Sequence, residues 1–149
     1  LQLEERLLEA EKTLKKALSL APQNTVETRM VLCEIYLQKG EATRALLEIE
    51  RVIVIKPSAK AWFLRGRSYF ALESWKEAED DFRRATLSDP MFHDARGAIG
   101  TVKIAQGDLE GAAQAFRSTL RFDPNNKAAQ QNLILVEQAI SKQSPPSSP

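Results

Sequence analysis

The chain has 149 residues, 43% hydrophobic and 28% charged, enough apolar content for a buried core and enough charge for one soluble globular unit. Its 21 Lys and Arg nearly cancel its 20 Asp and Glu, for a net charge of +1, so no whole-molecule field draws in nucleic acid or an anionic membrane. A single cysteine, Cys33, excludes an internal disulfide and a cysteine metal cluster, and no apolar run reaches the length of a membrane span.

Residues 1–25 open with acids among leucines, unlike a signal peptide. Leu3, Leu7, Ala10, Leu14, Ala17 and Ala21 make one apolar stripe without a breaker, which predicts a single long helix ahead of Pro22. The chain begins at Leu1 and ends in Ser144-Pro145-Pro146-Ser147-Ser148-Pro149, and it reads as a piece of something longer.

Residues 26–58 form the first complete helical hairpin. Leu32, Cys33 and Tyr36 share a face of its first helix, Gly40 marks the turn, and Ala45, Ile49 and Val52 stripe its second helix before Pro57. Residues 59–92 repeat the plan with Trp62, Gly66 and Tyr69, then Ala78, Phe82 and Ala85, then Pro90, but carry Glu73-Ser74 at the turn. Residues 93–126 repeat it again with Ile99, Gly100 and Lys103, the turn glycine Gly107, then Ala112, Phe116 and Thr119, then Pro124. Pro22, Pro57, Pro90 and Pro124 fall 35, 33 and 34 residues apart, and Ala10, Ala45, Ala78 and Ala112 keep the same three steps. Residues 127–142 place Ala129, Leu133, Val136 and Ile140 on one face, which predicts a helix capping the last hairpin, since a repeat stack otherwise ends on an apolar face. Residues 143–149 have too little apolar content to fold and predict a disordered Ser/Pro tail.

Trp62-x2-Arg65-Gly66-x2-Tyr69, followed by Ala78-x3-Phe82 and Pro90, resembles the tetratricopeptide repeat signature, W-x2-L-G-x2-Y, A-x3-F and P. The departures are Arg65 in the leucine slot, Arg29 in the tryptophan slot of the unit before, and Lys103 in the tyrosine slot of the unit after. The resemblance implies an all-α fold, a right-handed α-solenoid of antiparallel helix hairpins, whose first helices line a concave groove that holds a protein or peptide.

The groove slots of this reading are Met30, Val31, Glu34 and Leu37, then Lys60, Phe63, Leu64, Arg67 and Phe70. Asp94, Gly97, Ala98, Thr101 and Ile104 continue them, and Asn132 and Leu135 close the far end. The resulting surface is apolar with a few charges. Co-chaperone and immunophilin members of the family grip acidic chaperone tails with a clamp of Lys, Asn and Arg, and Lys60-Ala61-Trp62-Phe63-Leu64-Arg65-Gly66 is similar to one clamp helix. Only Lys60 stands in place; Leu64 and Val31 replace the arginine and an asparagine, so the clamp is expected to be absent.

No arrangement of residues points to catalysis, a metal or a cofactor. His93, at a helix start, has no nucleophile or partner at a recognisable spacing and reads as solvated. Cys33 occupies the slot of Gly66 and Gly100 and reads as a small packing residue rather than a reactive thiol. Glu77, Glu79, Asp80 and Asp81 read as a solvated charged surface, and the Ser-Pro pairs at Ser144 and Ser148 and the P-x-x-P run at 146–149 carry little information. The expectation is a non-enzymatic interaction scaffold of the cytoplasm or nucleus, not secreted, binding a peptide or helical segment of a partner, with its oligomeric state open. A chaperone adaptor with a degenerate clamp and the non-catalytic docking domain of a larger enzyme are the alternatives, and a chaperone or a subunit of a larger complex are the partners considered.

Overall fold

A computed structural model of the chain describes residues 1–22 and 25–144. Among them there are eight helices and no strand: α1 (Gln2–Leu20), α2 (Thr25–Gln38), α3 (Ala42–Ile55), α4 (Ala59–Ala71), α5 (Trp75–Ser88), α6 (His93–Ala105), α7 (Leu109–Phe122) and α8 (Lys127–Gln143). The expected tail residues Pro145 to Pro149, with Ser148 and the P-x-x-P run, lie outside the described residues.

Proline sets one kind of helix end. The helices α1, α3, α5 and α7 stop at Leu20, Ile55, Ser88 and Phe122, each two residues before Pro22, Pro57, Pro90 or Pro124. The intervening residue is driven out of the helical region by the proline ring: Ala21, Lys56 and Asp123 have φ of −137°, −150° and −137°. The other kind of end is a left-handed turn. Gly40 and Gly107 take φ of +75° and +79°, and Glu73 takes the same place with φ of +60°. In each case the next residue closes the helix by donating its N–H back over one turn, Glu41 to Tyr36 at 2.8 Å, Ser74 to Tyr69 at 2.9 Å and Asp108 to Lys103 at 2.9 Å. New helices start under side-chain caps: Ser58 accepts from the Ala61 N–H at 3.1 Å, Asp108 from Gly111 at 2.8 Å and Asn126 from Ala129 at 3.0 Å.

The chain divides into two compact units, Leu1–Asp81 and Phe82–Pro149, with the division inside α5. In the first, α2 packs on α3 and α4, α3 on α4, and α1 on α2. Its core is built of Leu32, Cys33, Tyr36, Ala45, Ile49, Val52, Ala61 and Leu64. The small residues of the repeat columns, Cys33 and Ala45, let the helix axes approach, and the larger Ile49 and Leu32 fill the space between. In the second unit α6 packs on α7 and α7 on α8, around Ala112, Ala113, Phe116, Ala129 and Val136. Gly100 has no room for a side chain, since a Cβ there would lie 2.6 Å from the Phe116 ring. The stripe Ala129, Leu133, Val136 and Ile140 is the face that α8 lays on α7.

Candidate partner-binding site

Within Leu1–Asp81, the expected groove residues fall on the neighbouring helices α2 and α4. Lys60, Phe63, Arg67 and Phe70 follow one another at three- and four-residue steps and so share a face of α4. Lys60 Nζ lies 3.2 Å from Oε1 of Glu34, an ion pair that bridges α4 to α2. Phe63 is half-buried, with the exposed Arg67 guanidinium 5.9 Å from its ring centre. Phe70 packs against Trp75 edge-on, ring centres 5.0 Å apart. Met30 and Leu37 are half-buried and pack on the core, whereas Val31, 41% exposed, turns toward α1 and lines an opening there with Ile35.

Leu64 requires a correction. It is 1% exposed within the core, so it packs the hairpins together and offers nothing to a partner. One residue past Phe63 is a rotation of 100° on a helix, enough to turn from the surface to the interior.

In the second unit, Asp94 and Thr101 are exposed on α6, where Thr101 donates to the Gly97 carbonyl at 3.5 Å, and Gly97, Ala98 and Asn132 are intermediate. Ile104 and Leu135 are exposed large aliphatics of α6 and α8.

The departures from the repeat signature acquire partners. Arg29 donates to Glu48 at 2.6 Å, and Arg65 makes two hydrogen bonds to Asp81, at 2.7 and 2.8 Å. Asp81 is therefore not part of a solvated surface; it is 1% exposed, and Arg65 holds it. Glu11, which carries no repeat signal, is buried between α1 and α2. Its carboxylate accepts from Lys39 at 2.6 Å and Tyr36 at 3.2 Å and pairs with Lys15 at 2.7 Å. Those contacts, Lys15 foremost and then Lys39, pull its pKa from 4.5 to about 2.

Neither candidate for chemistry gains support. Burial pushes the Cys33 thiol up to about 11, so it stays protonated near neutrality and fills space beside Ser68. His93, first in α6, is half-buried rather than solvated, and its Nδ1 is enclosed without a hydrogen-bond partner among the described residues. Among those residues no group of His, Cys, Asp and Glu could hold a metal ion, and no helix is long and apolar enough to cross a membrane.

A family model described as tetratricopeptide repeat matches residues 63–127, and one described as anaphase-promoting complex, cyclosome, subunit 3 matches residues 3–85, more than half of the chain. The chain belongs to the tetratricopeptide repeat family. Tetratricopeptide repeat protein 8 of Caenorhabditis elegans is 27% identical over 137 residues, which cover 90% of this chain and 27% of that protein. Protein bimA of Emericella nidulans is 26% identical over 134 residues, covering 90% and 17%. The chain thus spans about a quarter or less of the length of these relatives. Among solved structures, MamA superposes with a TM-score of 0.80 at 25% identity, over 94% of this chain and 82% of that one. The second tetratricopeptide domain of human RPAP3, solved in complex with the HSP70 peptide SGPTIEEVD, superposes with a TM-score of 0.71 at 25% identity, over 78% and 98%. The all-α solenoid class of helix hairpins is therefore the fold of this chain, and tetratricopeptide arrays are repeat scaffolds whose extended surfaces bind proteins.

Proposed function

We propose that this chain is a non-catalytic, cytoplasmic interaction module that holds an apolar or helical segment of a partner protein against α2 and α4. The ion pair between Lys60 and Glu34 carries this reading. Lys60 is the one clamp-type cation of that helix, and Glu34 already neutralises it while placing a carboxylate where an acidic tail would have to lie. The pair is at the surface and weak in itself, so what disfavours an acidic tail is the like charge of Glu34 held beside the lysine that the tail would grip. What remains for a partner beside the pair is the half-buried Phe63 with the Arg67 guanidinium over its ring, a surface suited to an apolar anchor flanked by a carboxylate.

The RPAP3 domain shares the fold and binds an acidic HSP70 peptide, which makes that peptide the natural probe. In calorimetry SGPTIEEVD should bind this chain more weakly than about 100 μM, where only about 5.5 kcal/mol is available. Tight binding that is lost on Lys60→Ala overturns the reading in favour of a chaperone adaptor. Photo-cross-linking from position 63 identifies the true partner, and Phe63→Ala with Arg67→Glu should lower its recovery while helicity is retained. Unchanged recovery from a folded variant removes α2 and α4 as the site.

The match of residues 3–85 to the model named for subunit 3 of the anaphase-promoting complex supports a second reading, in which the partner is a neighbouring subunit of a stable assembly. Co-purification as a stoichiometric complex, rather than salt-sensitive exchange, distinguishes it.

A further inference from the structure

A cleft of ≈ 380 Å³ lies within the unit Phe82–Pro149, where the second half of α5 meets the paired helices α6 and α7. Ile99 and Ala115 give it an apolar part, and its charged lining is three cations, Arg83, Arg96 and Lys103, against one acid, Asp108. The acid is engaged at one end, where it accepts from the Gly111 N–H at 2.8 Å and lies 3.7 Å from Lys103 Nζ. Arg96 stands about two helical turns before Lys103 on α6, toward the other end.

Arg96 is a guanidinium held in place with donors to spare. Its Nη2 donates to the Pro90 carbonyl at 2.8 Å, and its Cζ lies over the Phe122 ring, 4.0 Å from the centre. Its Nη1 reaches the Ser118 hydroxyl only at 3.4 Å, and its Nε is enclosed without a hydrogen bond. Of the half-buried arginines among the described residues, Arg29 and Arg65 meet the carboxylates of Glu48 and Asp81, whereas none of the contacts of Arg96 is a carboxylate. A partly desolvated cation without a counter-ion gains from any anion that reaches it.

Ser118 is uncommitted in the same place. A hydroxyl inside a helix commonly gives its proton to a carbonyl one turn back, as Thr119 does to Ala115 at 3.0 Å and Ser68 to Leu64 at 2.9 Å. Among the described residues Ser118 makes no such bond: its oxygen accepts from Arg96, so its proton is left for an acceptor in the cleft. A fixed guanidinium fork beside an uncommitted hydroxyl, with further cations on the walls, is a donor set for phosphate, an acceptor-only group with three oxygens and nearly two charges. The cleft is larger than a phosphate ion, and Ile99 and Ala115 offer apolar wall to the chain that carries it.

We propose that the cleft between α5, α6 and α7 binds a phosphorylated side chain of a partner protein, with Arg96 and Ser118 gripping the phosphate oxygens and Arg83 and Lys103 adding charge from the walls. This site lies in a different unit from the α2–α4 face, and neither reading depends on the other.

The test is a titration of the isotope-labelled whole chain, followed by its amide resonances, with a capped alanine pentapeptide carrying phosphoserine at its centre. The same peptide with serine or glutamate at that place, and inorganic phosphate, are the comparisons, at matched ionic strength. The phosphopeptide should shift the amides of Arg96 and Ser118 saturably and bind about tenfold more tightly than the glutamate peptide, the worth of one further charge-assisted hydrogen bond. Ser118→Ala, which favours the helix, and Arg96→Lys, which keeps the charge and loses the fork, should each weaken it about tenfold. Circular dichroism matching the wild type excludes unfolding as the cause. The proposal is overturned if the phosphopeptide leaves those amides unmoved, or if both variants bind it as the wild type does. It is overturned equally if the glutamate peptide binds as tightly, which makes this a carboxylate site, or if inorganic phosphate does, which makes free phosphate the occupant.

Discussion

Arg65 and Asp81 meet through two parallel hydrogen bonds, Nε to Oδ2 at 2.7 Å and Nη2 to Oδ1 at 2.8 Å, which tie α4 to α5. The guanidinium also lies over Trp62 and Tyr69, 5.0 and 5.6 Å from the ring centres. An arginine thus replaces the leucine of the repeat signature without leaving a charge stranded, because Asp81 is carried into the interior with it. Removing either partner should cost about 3 kcal/mol, since the other charge stays desolvated. Replacing both, Arg65→Leu with Asp81→Leu, should cost clearly less than the sum of the single changes. Urea midpoints of the four proteins measure the coupling; additive losses would show that the pair acts as two separate residues.

Glu73 holds φ of +60° where the equivalent residues, Gly40 and Gly107, are glycines. A side chain in this region costs roughly 1–2 kcal/mol, and glycine's greater freedom in the unfolded chain takes back part of any gain. Glu73→Gly should therefore stabilise by about 1 kcal/mol, and Gly107→Glu should destabilise by a similar amount. Thermal melts of the two variants check both signs, and a destabilised Glu73→Gly would contradict the strain argument.

Glu11 makes stability depend on acid. Its folded pKa of about 2 lies below the ordinary 4.5, so the folded state holds the charged carboxylate more strongly than the unfolded chain does. The unfolded state binds the proton first, and the contribution of Glu11 is complete above about 4.5 and lost as pH falls toward 2. Glu11→Gln should lower the melting temperature at neutral pH and flatten its fall between those two values. If wild type and variant lose stability in parallel over that window, Glu11 is not the group responsible.

The columns Ala45, Ile49, Val52 and Ala112, Phe116, Thr119 are legible in the sequence because one hairpin's packing is copied into the next at a fixed step, so local spacing carries tertiary information. The proline-limited helix ends are legible for the same reason, since the steric rule acts on adjacent residues. Glu11, Asp81 and Leu64 are not. The burial of Glu11 depends on Tyr36 and Lys39, and that of Asp81 on Arg65, partners whose placement no periodicity of the acidic residues reveals. Leu64 sits beside Phe63 in sequence, and an error of one residue in helical phase moves it from the core to the surface. A consequence is that Leu64→Arg is not a surface probe: it drives a charge into the core and should unfold the Leu1–Asp81 unit rather than merely weaken binding.

The helix α8 lays Ala129, Leu133, Val136 and Ile140 on α7, over Ala112, Ala113 and Phe116. It also fixes its approach by an ion pair between Arg117 and Glu137 at 3.0 Å, though both groups are half-exposed and the pair contributes little. Burial of its aliphatic side chains stabilises by roughly 1.5–3 kcal/mol each, reduced by the entropy of ordering the helix. That remainder is a large share of the 5–15 kcal/mol typical of a domain. Truncation after Asn126 should lower the melting temperature and promote aggregation, because the apolar face of α7 is then open to water. Truncation after Ser144, which leaves α8 whole, should change neither. Val136→Asp separates packing from chain length: at 3% exposure its charge enters the α7–α8 interface, so it should act in the same direction as the deletion. If the deletion and Val136→Asp both melt like the parent, α8 does not cap the array, and its exposed Leu135 and Ile134 become the face to test for partner binding.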